Sequence, residues 1–184
     1  MKKVFLLIIV SSLTLQAQKI KTKIYTDSLL TITYSKKWKI LKTPFPNKII
    51  ELAPKSQAKL SFSGEFTIEN RNKATRNFSE TKLSIYKTSL SNYSSLDDFF
   101  IKRVDLTKKK TSLSIVKISS SQNNYGKVKI LDVIYQFNNK KIHQIEYNFS
   151  ANGNIYSVYF FAPLNLYKKY IKEAKTIYSS IELH

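Results

Sequence analysis

Lys127 to Ala162 reads KVKILDVIYQFNNKKIHQIEYNFSANGNIYSVYFFA, three apolar runs parted by Asn138-Asn139 and Asn152-Gly153. Asn and Gly tolerate positive φ, and Asn-Gly between alternating apolar residues is the strongest short hairpin signal. A third turn, Asn123-Asn124-Tyr125-Gly126, precedes the first run. Strands are therefore expected at Leu113–Ser119, Lys127–Phe137, Lys141–Ser150 and Asn154–Ala162, forming a four-stranded antiparallel meander. In Lys127–Phe137 one face carries Leu131, Val133, Tyr135 and Phe137, and the other Val128, Ile130 and Ile134. In Asn154–Ala162 the faces carry Ile155, Tyr159 and Phe161 against Tyr156, Val158 and Phe160. A sheet wet on one side alternates apolar with polar, so these strands are expected to be covered on both faces.

Two amphipathic segments supply the covers. One follows Ser94-Ser95, with Asp97 and Asp98 in its opening turn and Lys108, Lys109 and Lys110 at its far end, charges that suit the helix dipole. Leu96, Phe99, Phe100 and Val104 keep helical spacing on it. The other begins after Pro163 with Asn165 as the expected cap. Leu166, Tyr167, Tyr170, Ile171, Ala174, Ile177, Tyr178 and Ile181 form its apolar stripe, with Lys168, Lys169, Lys172 and Lys175 opposite. Toward the N-terminus, short strands are expected at Leu30–Tyr34, Trp38–Leu41, Ile49–Leu52, Ala58–Ile68 and Lys82–Tyr86. The fold class is α+β: a central antiparallel sheet packed against helices on its faces.

Met1 to Gln18 has the three parts of a secretory leader: Lys2 and Lys3, an apolar run from Val4 to Val10, and Ala17 before the expected cut. The domain reading is a signal peptide over 1–17 and a single α+β domain over 18–184, periplasmic or secreted. No further segment approaches a transmembrane span. Of 31 Lys and Arg, 29 remain after Lys2 and Lys3 are removed; against 12 Asp and Glu that leaves +17. A field of that size attracts polyanions, which outside the cytoplasm means lipid headgroups, acidic polysaccharide or an acidic protein face rather than nucleic acid. Only Arg71, Arg76 and Arg103 carry the guanidinium fork that phosphate recognition favours, so the charge also reads as a solvated lysine surface.

The chemical inventory is sparse. Without Cys there is no disulfide, thiolate nucleophile, Cys-ligated zinc or lipobox anchor. Two His and three Gly argue against a His-built metal site or a phosphate-cradling loop, and no GxGxxG, GxxxxGK, HExxH or GxSxG motif occurs. No cofactor, metal or catalytic residue is expected. His143 shares a strand face with Ile145, Tyr147 and Phe149 and reads as a packed residue, with Glu146 on the opposite face. His184 ends the chain. Asp132 lies on an apolar face, where a buried carboxylate needs a partner; Lys117 or Lys129 is expected to supply it. Asn77, Asn92 and Asn148 head glycosylation sequons, which a bacterial source would make accidental. The candidate binding surface is a basic patch of Lys168, Lys169, Lys172 and Lys175 with Lys108, Lys109 and Lys110.

The order of elements, with Ile32-Thr33-Tyr34-Ser35-Lys36-Lys37-Trp38 before a Pro-bearing loop, a mid-chain helix, a long meander and a terminal helix ending Tyr178-Ser179-Ser180-Ile181, resembles the PsbP-like fold family. That family includes an extrinsic subunit of the oxygen-evolving complex, a Ran-binding import factor and many secreted or lipid-anchored bacterial proteins. The resemblance implies an α/β/α sandwich and a shared scaffold rather than a shared chemistry. The leader and the Lys/Asn/Ile-rich body resemble exported proteins of Bacteroidetes-type bacteria. In that setting Asp27-Ser28-Leu29 resembles a short O-glycosylation signal, with Ser28 as the acceptor. The expected function is a non-enzymatic envelope module that docks a protein or anionic partner through lysines; the alternative is a carrier holding a lipid or other apolar ligand between sheet and helix. The partner and the oligomeric state are left open.

Overall fold

The computed structural model describes residues 21–41, 47–56, 81–110, 113–137 and 139–184. Its hairpins are β6 (Leu113–Asn123), β7 (Gly126–Phe137), β8 (Lys140–Ala151) and β9 (Asn154–Pro163), antiparallel throughout. Asn152 and Gly153 hold φ of 49° and 69°, the two left-handed residues of a type I′ turn, and Ala151 pairs with Asn154 across them. The β6–β7 turn works differently. Asn123 Oδ1 accepts the Tyr125 N–H at 2.8 Å, and Gly126 takes φ 104° as the chain enters β7. This turn sits later than the expected strand end at Ser119, so β6 runs on to Asn123.

β3 (Trp38–Leu41), β4 (Lys48–Pro54) and β5 (Lys82–Ser89) complete a seven-stranded sheet in the order β3-β4-β5-β9-β8-β7-β6. β2 (Leu30–Ser35) belongs instead to a separate three-stranded sheet, between β1 (Thr22–Thr26) and the two-residue β10 (Glu182–Leu183). The expected leader, the strand over 58–68 and the Asn77 sequon lie outside the described residues. No helix among the described residues is long and apolar enough to cross a membrane.

The helices take opposite faces of the large sheet. α2 (Leu164–Ser179) buries Tyr167, Tyr170, Ala174 and Ile177 against Ile145, Tyr147, Phe149, Tyr156, Val158 and Phe160. Leu30, Ile32 and Tyr34 of the small sheet and Trp38 join the same core. The Ser180 hydroxyl accepts the Thr33 N–H and donates to its carbonyl, both at 2.9 Å, stitching the helix end to β2. α1 (Leu96–Lys108) covers the other face, where Phe100 and Val104 meet Leu131 and Val133. Its Ser95 cap accepts the Asp98 N–H at 3.1 Å, and Asp97 pairs with Lys127 and Lys129 of β7.

Two expectations need correction. Asn165 is not the α2 cap: β9 continues to Pro163, which pairs with Ile142 in the sheet, so the helix starts at Leu164 with no side-chain cap. The second concerns the α1-side face, which is apolar only beneath α1. Farther across β8, β9, β5 and β4 it carries Glu146, Asn148, Ser157, Ser84, Lys82, Glu51 and Lys48, all buried. Most of these groups are tolerated because they pair with one another or with Arg103 of α1, while the buried Asn148 Nδ2 has no hydrogen-bond partner among the described residues. Glu51 Oε2 receives Lys48 Nζ at 2.5 Å, Ser84 Oγ at 3.0 Å and Lys82 Nζ at 3.2 Å. Asn148 Oδ1 accepts the Ser157 hydroxyl at 2.6 Å. Tyr156 and Phe160 are buried as expected, Tyr135 is half-buried, and Phe137 is 44% exposed where β7 ends.

Candidate functional site

The lysines of α2 are presented by helical geometry. With Tyr167, Tyr170, Ala174 and Ile177 turned into the core, Lys168, Lys169, Lys172 and Lys175 fall on the exposed side. The acidic residue of this helix, Glu173, is occupied: its Oε2 accepts the indole N–H of fully buried Trp38 at 2.5 Å. Trp38 also meets Tyr170 edge to face, with centroids 6.4 Å apart. The tryptophan that carried the fold resemblance therefore anchors the cationic helix and holds the Glu173 carboxylate half-buried, while the four lysines stand exposed.

Beside α2 the surface stays basic. Tyr170 OH lies 3.1 Å from Ser56 Oγ, and the neighbouring Lys55 donates its backbone N–H to the Lys37 carbonyl at 2.7 Å. Lys36, Lys37 and Lys55 are exposed. They extend the α2 lysines across the β2–β3 turn and the end of β4, an extension that sequence spacing alone does not reveal. Lys108, Lys109 and Lys110 are exposed too, but they end α1 on the other side of the sheet. The single expected patch is thus two separate basic surfaces. Ser28 is exposed in the β1–β2 turn, where Asp27 Oδ1 accepts the Leu29 and Leu30 N–H groups at 2.8 and 2.9 Å. Partial burial raises the Asp27 carboxyl, but those N–H groups and the Tyr25 hydroxyl outweigh it and hold it below its ordinary value.

Asp132 and His143 come together. His143 Nε2 lies 2.5 Å from Asp132 Oδ1, and its ring stacks on Tyr167 with centroids 3.6 Å apart. Lys117 stands opposite Asp132 in the strand register, yet the ion pair runs diagonally to β8, correcting the expected lysine partner. Counting the register back from the turn after Phe137 would have shown both residues on one face. Burial, reinforced by the Asp132 carboxylate, pushes the Tyr167 phenol upward; burial, Tyr178 and Asp132 push Tyr147 up to about 12. Glu146 does lie on the opposite face, fully buried, with both carboxylate oxygens within 3.2 Å of Arg103 Nε. Among the described residues no three His, Asp or Glu side chains gather as metal ligands.

A cavity of about 500 Å³ opens at the start of α2, lined by Lys140, Lys141, Pro163, Leu164, Asn165 and Leu166. It lies at the helix rim; the seam itself is filled by rings, including the Tyr147–Tyr178 stack at 4.2 Å.

No protein-family model matches the sequence, and no curated protein matches it. Solved structures do. Cyanobacterial PsbP (CyanoP) from Synechocystis sp. PCC 6803 is similar with a TM-score of 0.60 at 10% identity, over 92% of this chain and 96% of that one. LpqN of Mycobacterium tuberculosis, described as involved in cell envelope biogenesis, gives 0.54 at 10% identity over 89% and 90%. A Pseudomonas aeruginosa protein of unknown function gives 0.51 at 8% identity over 86% and 94%. At these identities the likeness is one of architecture, and with the antiparallel sheet between two helices it establishes that this chain has the PsbP-like fold.

Proposed function

We propose that this protein is an exported, non-enzymatic docking module of the cell envelope whose α2 surface binds an anionic partner. The supporting observation is the arrangement of α2: Lys168, Lys169, Lys172 and Lys175 project outward while Glu173 is tied to Trp38, and Lys36, Lys37 and Lys55 continue the field. Rigid backing by a packed core means that binding needs little reordering of the helix, which favours association. LpqN, of the same fold, is described as involved in cell envelope biogenesis, which fits an envelope role.

Exposed cations act through a screened field, so binding to vesicles containing phosphatidylglycerol or to polygalacturonate should weaken steeply as salt rises past the range where the Debye length is about 10 Å. Exchanging Lys168, Lys169, Lys172 and Lys175 together for Gln should abolish it, with folding unchanged because all four side chains are exposed. Salt-insensitive binding, or full binding by that variant, would overturn the reading. A second reading, a carrier for an apolar ligand, draws on the cavity of about 500 Å³ beside Leu164 and Leu166. Lipid retained in native mass spectrometry would favour it.

A further inference from the structure

We propose that the outer edge of β6 accepts an acidic, extended segment of a partner protein as an added β-strand. This rests on the docking reading above but uses a sheet edge rather than the α2 lysines. β6 ends the seven-stranded order, and among the described residues no strand pairs with its outer side. It is 11 residues long, whereas β3, the opposite edge, has four.

An edge of that length, unpaired among the described residues, invites pairing unless charge, proline or a bulge blocks it. In β6 the guards are confined to one end: the register shifts between Ile115 and Lys117, and Lys117 is the charged residue of the strand. From Ile118 to Asn123 the ladder with β7 is regular, and the side chains are small or uncharged, Ser119, Ser120 and Ser121 among them. Val116 and Ile118 remain 53% and 48% exposed, open positions for alternate apolar side chains of an incoming strand.

The partner's charge follows from what flanks the edge. Lys108, Lys109 and Lys110 lead directly into β6, where the Leu113 N–H meets the Lys110 carbonyl at 3.0 Å, and Lys117 follows. Lys127 and Lys129 on neighbouring β7 share the single carboxylate of Asp97. A second copy of this chain would set these cations against their like, in a molecule whose sequence carries a formal +19, so an acidic segment is the complementary occupant.

A peptide of about ten residues alternating Val and Glu, long enough to span the edge, provides the probe. With the isotope-labelled full chain, the peptide should slow amide exchange within Ile118–Asn123 and weaken as salt rises. The same peptide N-methylated at alternate residues keeps its charge but loses one hydrogen-bonding edge, and should bind at least about tenfold more weakly. Ile118→Glu, at a half-exposed position, should have a comparable effect. Equal binding of the N-methylated peptide, perturbation restricted to lysine side chains, the same protection produced by phosphatidylglycerol vesicles, or dimerisation through β6 would each overturn the proposal. If the peptide fails while vesicles still bind through α2, only this inference falls; if vesicles fail and the peptide protects β6, only the α2 reading falls.

Discussion

Arg103 and Glu146 show how one residue of a helix fixes its place on a sheet. Glu146 is fully buried, and burial pushes its carboxyl above the ordinary value even though the Arg103 guanidinium opposes the shift. The pair therefore does not give the carboxylate a net gain over water; its effect is to make α1 costly to remove. Arg103→Ala would leave a charge uncompensated inside the protein and should lower the unfolding free energy by about 3 kcal/mol in urea titrations. The double variant Arg103→Met, Glu146→Leu should recover most of that loss, since apolar groups of similar volume need no partner. A single variant as stable as the double would contradict this account. Trp38 is the corresponding residue under α2. Trp38→Phe removes the donor to Glu173 and part of a fully buried ring, and should cost about 2 kcal/mol by the same measurement.

Among the elements, the hairpins were the most legible, because their determinants are local. Asn152-Gly153 supplies both positive-φ residues of its turn and thereby sets the β8–β9 register. A Cβ at Gly153 would meet no atom within 4 Å, so Gly153→Ala tests the backbone alone. It should destabilise by about 1 kcal/mol, read as a lowered urea midpoint with an unchanged slope. α2 was legible for a similar reason, since its stripe and its lysines repeat at helical period. What escaped were features made by distant residues. β1 is mostly exposed and β10 has two residues, so neither carries an apolar pattern, and both exist through β2. The ion pair between Arg103 and Glu146 joins groups 43 positions apart, and alternation within β8 marks only which face Glu146 takes, not what waits there. The basic surface escaped in part too: Lys55 adjoins α2 only because Ser56 meets Tyr170.

For the molecule as a whole, buried groups make stability respond at both ends of the pH scale. On the α1 side, burial raises the Glu51 carboxyl, but hydrogen bonding by Lys48 and the charge of Lys82 outweigh it and hold the group below its ordinary 4.5. The unfolded chain then binds the proton more readily, so this contribution is complete above 4.5 and is lost as pH falls through the depressed native value. Glu146 acts in the reverse sense: its raised carboxyl makes the native state the better proton acceptor, which partly offsets the loss on acidification. On the α2 side, burial drives the phenols of Tyr147 and Tyr167 up, and across the sheet it does the same to Tyr159. The unfolded chain releases these protons near pH 10 while the native state retains them, so stability should decline as pH rises beyond about 10. Urea midpoints across the pH range should therefore form a plateau with two shoulders. Glu51→Gln should flatten the acid shoulder and leave the alkaline one, while Tyr167→Phe should soften the alkaline shoulder and leave the acid one. An acid shoulder that survives Glu51→Gln unchanged would place its origin in the other depressed carboxylates, Asp27, Asp97 and Asp98, or in repulsion among the surplus cations, and the buried Lys48–Glu51–Lys82 cluster would then have no part in it.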